Sequence, residues 1–168
     1  MKTIILASKS EVRKKILDDN NIKCTVEPSS LDEDEVKKSL INQGATPEII
    51  SKNLAELKAN KVSQKKIGEI VLGADTVIDL NGKLISKTAN RTEAMNILIS
   101  LNGKSHFLIS SVCISLDGKM IWNYTEKAEM IMKKFSKEEL QIYLSKISDK
   151  NLYSYNVYQI EGEGKKLF

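Results

Sequence analysis

Residues 70–80 read Ile-Val-Leu-Gly-Ala-Asp-Thr-Val-Ile-Asp-Leu, and this run decides the fold. It is apolar enough to predict a strand lying centrally in a sheet, interrupted only by Asp75. Asn81-Gly82 is a strong two-residue hairpin signal, so Lys83 to Ser86 is expected to return as the partner strand. Upstream, Thr46-Pro47 starts a helix, and Ile50, Leu54, Leu57 and Val62 repeat at helical spacing to about Lys66. Before it come a buried first strand over Thr3 to Ala7, a helix from Ser10 with Val12, Ile16 and Leu17 on one side, and a strand over Ile22 to Val26. The acidic segment Asp32-Glu33-Asp34-Glu35 then leads into a short helix ending near Gly44.

Downstream, Thr92 to Leu101 is helical and Asn102-Gly103 stops it. Strands over Phe107 to Leu116 and Met120 to Met132 are joined by a second hairpin turn, Asp117-Gly118. Ser136 to Glu139 is a capping box before a helix to about Lys146. Val157 to Ile160 reads as a last short strand, followed by a turn at Glu161 to Gly164. Strands alternating with helices, then hairpins, predict a mixed α/β sheet.

The 168 residues are 41% hydrophobic and 29% charged, which fits one domain and excludes disordered, collagen-like and disulfide-scaffold chains. Cys24 and Cys113 match no zinc spacing and read as buried thiols in a reducing compartment. The apolar run Ile4 to Ala7 is too short for an export signal, and no stretch approaches a membrane span, so a cytoplasmic protein is expected. The 26 basic and 22 acidic residues are interleaved, which argues against a stable nucleic-acid partner. All the basic residues except Arg13 and Arg91 are lysine, so these two stand out.

At the first strand-to-helix junction, Ser8, Ser10 and Arg13 offer hydroxyls, backbone N–H groups and a guanidinium where a helix dipole favours an anion. That outlines a phosphate site, because a guanidinium grips phosphate oxygens as a fork. Asp75, set in an apolar strand, should lie at the strand's end or face a cation or metal. With Glu33 it makes a plausible pair of oxygen ligands for Mg²⁺. His106, the one histidine, reads as structural or hydrogen-bonding. Trp122 and Tyr124 read as core or cover on a strand.

Taken in order, Ile5-Leu-Ala-Ser-Lys-Ser-Glu-Val-Arg13, Asp32-Glu33, Leu54-Ala-Glu-Leu-Lys-Ala59, Gly73-Ala-Asp-Thr76, Lys87, Glu93-Ala94, Leu101-Asn-Gly-Lys-Ser-His106 and Tyr158-Gln-Ile-Glu-Gly162 resemble the Maf family of nucleoside triphosphate pyrophosphatases, also called septum formation inhibitors. The resemblance implies a fold similar to the inosine triphosphatase group: an elongated, twisted mixed sheet flanked by helices, with a central nucleotide cleft. It implies one domain over residues 1–168, lacking the C-terminal strand and helix usual in the family, and a homodimer. The reaction implied is hydrolysis of pyrimidine or modified nucleoside triphosphates to the monophosphate and pyrophosphate with Mg²⁺ or Mn²⁺. The alternative is a catalytically weak nucleotide binder acting in cell division or septum control.

By the same resemblance Asp75, Glu33, Lys58 and Lys87 are the catalytic set, with Glu33 and Asp75 also the metal carboxylates. Ser8, Ser10, Arg13, Lys14, Thr76 and Glu161 are the substrate-side residues. Lys14 stands where the family has a second arginine, keeping the charge without the fork. Thr88 replaces the proline after Lys87, and Glu161 stands in the place of a family glutamine.

Overall fold

The computed structural model describes residues 3–168. The chain runs β1 (Ile4–Leu6), α1 (Glu11–Asp19), β2 (Cys24–Val26), α2 (Glu33–Asn42), α3 (Pro47–Ser63), β3 (Val71–Leu80), β4 (Lys83–Ile85), α4 (Arg91–Leu101), β5 (Ser105–Leu116), β6 (Lys119–Ile131), α5 (Lys137–Ser145) and α6 (Asp149–Tyr155), with a closing 3-10 helix at Glu163–Leu167. One mixed sheet has the order β2-β1-β3-β5-β6, with β4 added on β3. The strand over 70–80 is therefore central, as its composition requires. β1 pairs in parallel with β2 and with β3, and β4 is antiparallel to β3. Both expected hairpin turns form, with Asn81 and Gly82 at φ 54° and 80° and Asp117 and Gly118 at φ 50° and 78°. Two successive left-handed residues match the right-handed strand twist.

The chain divides into two compact units. The first runs to Thr76 and takes in Ile109–Lys127. Its core joins Ile5, Ala7 and Val71 of the sheet to Ala55, Ala59 and Val62 of α3. Thr46 caps α3 by accepting from the Ile49 N–H, and Pro47 sits in the first turn. Gly73 lets the helix come close: a Cβ there would stand 2.7 Å from the backbone nitrogen of Ala59. Leu57, expected in the apolar stripe, is instead 38% exposed, and the buried stripe is Ile50, Leu54, Lys58, Val62.

The second unit holds Val77–Leu108 and Ala128–Phe168. Its core gathers Ala94, Leu98 and Leu101 of α4 with Leu140, Tyr143 and Leu144 of α5, Leu152, Val157 and Leu167. Arg91 explains why one cation here is not lysine. Its Nη1 and Nη2 donate to the carbonyls of Leu144 and Ile147, each at 2.8 Å, and its Nε to Asp149 at 3.0 Å. A planar fork closes the end of α5 and ties it to the start of α6, which a single ammonium could not do.

Three further expectations fail. No strand forms over Val157 to Ile160, and α6 precedes it unannounced. Asn156 turns the chain at φ 72°, after which Val157 N–H donates to the Asn156 side chain and Val157 C=O accepts from Tyr143 Oη. With both of its backbone groups satisfied by side chains, buried Val157 has no need of a ladder. Cys24 is only half-buried, because β2 is an edge strand that pairs only with β1 among the described residues; Cys113 is buried as expected. Trp122 and Tyr124 are 49% and 52% exposed on the edge strand β6, stacked on each other and outside any core. Helix α1 keeps Val12 and Leu17 half-buried and has no fully buried residue, and Ile16 is exposed.

Candidate active site

Lys58 falls four residues after Leu54 and four before Val62, on the face of α3 turned to the sheet, and only 5% of it is exposed. Its Nζ lies 2.8 Å from Oδ1 of Asp75, 3.0 Å from Oε1 of Glu33 and 3.5 Å from the carbonyl oxygen of Ala74. An ammonium has three N–H donors; here three oxygens surround it, with Asp75 and Glu33 close and the Ala74 carbonyl at the outer limit of a hydrogen bond. Asp75 is as buried as Lys58. A buried pair of this kind costs several kcal/mol in desolvation, offset only by close geometry and by neighbours such as Leu54, whose burial contributes roughly 1.5–3 kcal/mol.

Asp75 is also held through its backbone, whose carbonyl accepts from Ser51 Oγ at 3.3 Å. Its second carboxylate oxygen, Oδ2, is buried and has no hydrogen-bond partner among the described residues. Such an atom is costly to keep unless something is to be placed on it.

Glu33 reaches the cluster from the first turn of α2, which Asp32 caps by accepting from the Glu35 N–H at 3.0 Å. Its side chain is 34% exposed, so the cluster opens to solvent on this side.

The second group of residues follows β1. Ser8 Oγ accepts from the backbone N–H of Ser10 at 3.2 Å and from Arg13 Nη1 at 3.0 Å. Ser10 caps α1 by accepting from the Arg13 N–H. The guanidinium is thereby tethered over the helix N-terminus, where an anion is favoured. Because β1 and β3 are parallel and Ala7 N–H donates to Leu72 C=O, Ser8 leaves the sheet in the direction in which β3 runs on to Asp75. Ligands of open α/β sheets bind at such carboxyl ends.

The remaining expected residues are placed differently. Lys14 is exposed and ion-paired one turn on with Asp18, whose hydrogen bond raises the lysine pKa. Thr76 alternates to the sheet face opposite Asp75 and meets Ser110 Oγ at 3.1 Å. Lys87 lies in the exposed segment after β4, and Glu161 in an exposed turn; both belong to the second unit. His106 is buried there, as its structural reading requires, with Nε2 2.7 Å from Tyr158 Oη. Ser51 escaped the sequence reading altogether. Lys58 had a signal of its own: a charge at the fourth-residue spacing of an apolar stripe.

A family model described as Maf-like protein matches residues 3–168. The chain belongs to the Maf family. It is 67% identical over all its 168 residues to a nucleoside triphosphate pyrophosphatase of Pelagibacter ubique (strain HTCC1062), covering 86% of that protein. It is 34% identical over 165 residues to a 7-methyl-GTP pyrophosphatase of Brucella abortus biovar 1 (strain 9-941), covering 98% of this chain and 83% of that one. In fold it is similar to a nucleoside-triphosphatase, a dITP/XTP pyrophosphatase, of Mycobacterium abscessus: TM-score 0.51 and 11% identity, covering 80% of this chain and 76% of that one. Motifs of this Maf chain that lie far apart in sequence, 8–13, 33, 58 and 73–75, thus fall within one compact unit.

Proposed function

We propose that this chain hydrolyses nucleoside triphosphates to the monophosphate and pyrophosphate at the Lys58–Asp75–Glu33 cluster, with Ser8, Ser10 and Arg13 holding the polyphosphate. As a Maf-family member whose relatives are named for this activity, it is a nucleoside triphosphate pyrophosphatase, a hydrolase acting on acid anhydrides. The observation that carries the assignment of the cluster is the divided state of Asp75: one oxygen is gripped by Lys58, the other is buried with no hydrogen-bond partner among the described residues.

Among the described residues no three His, Cys, Asp or Glu side chains gather as a complete metal cage. Glu33 and Asp75 nevertheless fit Mg²⁺ or Mn²⁺, since Mg²⁺ takes one or two carboxylates and completes its shell with water and substrate phosphates. The orphaned Oδ2 of Asp75 supports that fit. A bound divalent ion would neutralise charge developing on the phosphate oxygens.

The protein's own groups do the rest. Water attacks the α-phosphorus, the bond to the pyrophosphate oxygen breaks, and Asp75 orients the water and takes its proton. Arg13 and Lys58 stabilise the negative charge spreading onto the phosphoryl oxygens and the departing pyrophosphate. Lys14, Thr76, Lys87 and Glu161 join the reading on the resemblance alone. Pyrimidine or modified nucleotides are the substrates put forward, in the cytoplasm; no helix among the described residues is long and apolar enough to cross a membrane. A role as a weak binder in septum control is not favoured, because the relatives carry the names of pyrophosphatases.

The test is pyrophosphate release from UTP, dTTP, 7-methyl-GTP and ATP, with and without Mg²⁺, for the native chain and Asp75→Asn. Loss of turnover in the variant with its thermal unfolding retained supports the reading. Near-normal turnover removes Asp75 from the mechanism.

A further inference from the structure

Lys61 stands three residues beyond Lys58 on α3, on the neighbouring position of the same side. Its Nζ donates to the carbonyl oxygen of Ser30 at 2.9 Å. Ser30 has a left-handed backbone, φ 36°, although it carries a side chain. A non-glycine residue keeps that conformation where its surroundings fix it. Three residues later Glu33 opens α2 with its carboxylate on Lys58. Helix α3 therefore holds the start of α2 twice, through a side-chain ion pair at Lys58 and through a backbone carbonyl at Lys61.

These two holds have different fates when substrate arrives. Three oxygens already surround the Lys58 ammonium, two of them carboxylate oxygens within 3.0 Å, so contact with a phosphate oxygen loosens a present partner. The most exposed of those partners is Glu33. The first turn of α2 carries Glu33, Asp34 and Glu35, whose mutual repulsion grows once the ammonium turns away. The bond from Lys61 to Ser30 uses no group with a part in the reaction and survives the exchange.

We infer that Lys61 is a positioning residue, keeping the carboxylate of Glu33 at the cluster when Lys58 turns to the polyphosphate. This rests on the assignment of Glu33 to the divalent cation made above. It predicts that Lys61 governs how much Mg²⁺ the enzyme requires, and leaves the rate at saturating Mg²⁺ largely alone.

Lys61→Met and Lys61→Arg test it by two readouts. In the protein without nucleotide or metal, amide hydrogen exchange over residues 29–36 should quicken about fivefold in Lys61→Met, the scale of one ordinary net hydrogen bond, with α5 unchanged. In pyrophosphate release, half-saturating Mg²⁺ should rise by a similar factor with kcat at saturation nearly retained, and Lys61→Arg should restore both. Unchanged exchange over 29–36 overturns the inference. So does quickened exchange with an unaltered Mg²⁺ requirement, provided that Glu33→Gln has lost activity. If Glu33→Gln itself keeps the native Mg²⁺ requirement, the fault lies in the assignment of Glu33, and the inference falls with it.

Discussion

Gly73 on β3 lies against Ala59 on α3 so closely that a Cβ would stand 2.7 Å from the Ala59 backbone nitrogen, and nearer still to the carbonyl oxygen of Ala55. Neither obstacle is a flexible side chain. The same face of β3 carries Asp75 two residues on, and the same face of α3 carries Lys58, so this approach sets the reach between them.

Gly73→Ala should therefore push α3 from the sheet and lower both stability and turnover. Overpacking of this kind costs about 1–3 kcal/mol, and each kcal/mol is worth about 2–4 °C of melting temperature in a chain of this size. Thermal denaturation with a parallel pyrophosphate assay checks it. An unchanged melting temperature would show that the helix and strand have slack.

The buried pair separates stability from activity. Lys58→Met should cost roughly 3–5 kcal/mol, because it strands the Asp75 carboxylate without its cation. Adding Asp75→Leu should recover much of that loss, since a matched apolar pair avoids the desolvation altogether. Turnover should stay absent in both variants. Urea unfolding of the single and double variants reads the first effect; a double variant no more stable than Lys58→Met would mean that the pair does not set the balance.

His106 makes stability depend on pH. Burial, with 1% of the residue exposed, pushes its pKa below the ordinary 6.5. The unfolded chain then binds the proton more readily, so the contribution is fully present above pH 6.5 and is lost as pH falls below it. The slope is at most about 1.4 kcal/mol per pH unit. Melting temperatures from about pH 7.5 to about pH 5.5 should fall for the native chain and fall less for His106→Gln. Parallel curves would assign the acid sensitivity to other groups.

What could be read from the residues was what they decide locally. Asn81-Gly82 and Asp117-Gly118 announce their turns because few other pairs tolerate two left-handed residues in succession. Ser136 and Glu139 announce α5 because the capping box is complete within four positions. Val157 and Tyr158 misled because burial alone does not distinguish a strand from a plug whose polar groups are met by Tyr143 and Asn156. The seven-residue α6 is too short to show a period, and Arg91 anchors it from far away in the chain.

The candidate site divides along the same line. Ser8, Ser10 and Arg13 are legible as one turn, and Asp75 as an acid out of place in an apolar strand. That Glu33 and Asp75 share a single ammonium depends on how α2 and α3 come together, which no spacing within either helix expresses. Likeness to the Maf family supplied Lys58; geometry shows what it touches.

Trp122, the single tryptophan, is half exposed on edge strand β6, beside Tyr124. Its indole already faces water in the folded state, so fluorescence emission will shift little on denaturation and will report on the hairpin surface. Circular dichroism is the signal that follows the core, whereas quenching of the indole offers a direct view of anything that settles on that strand.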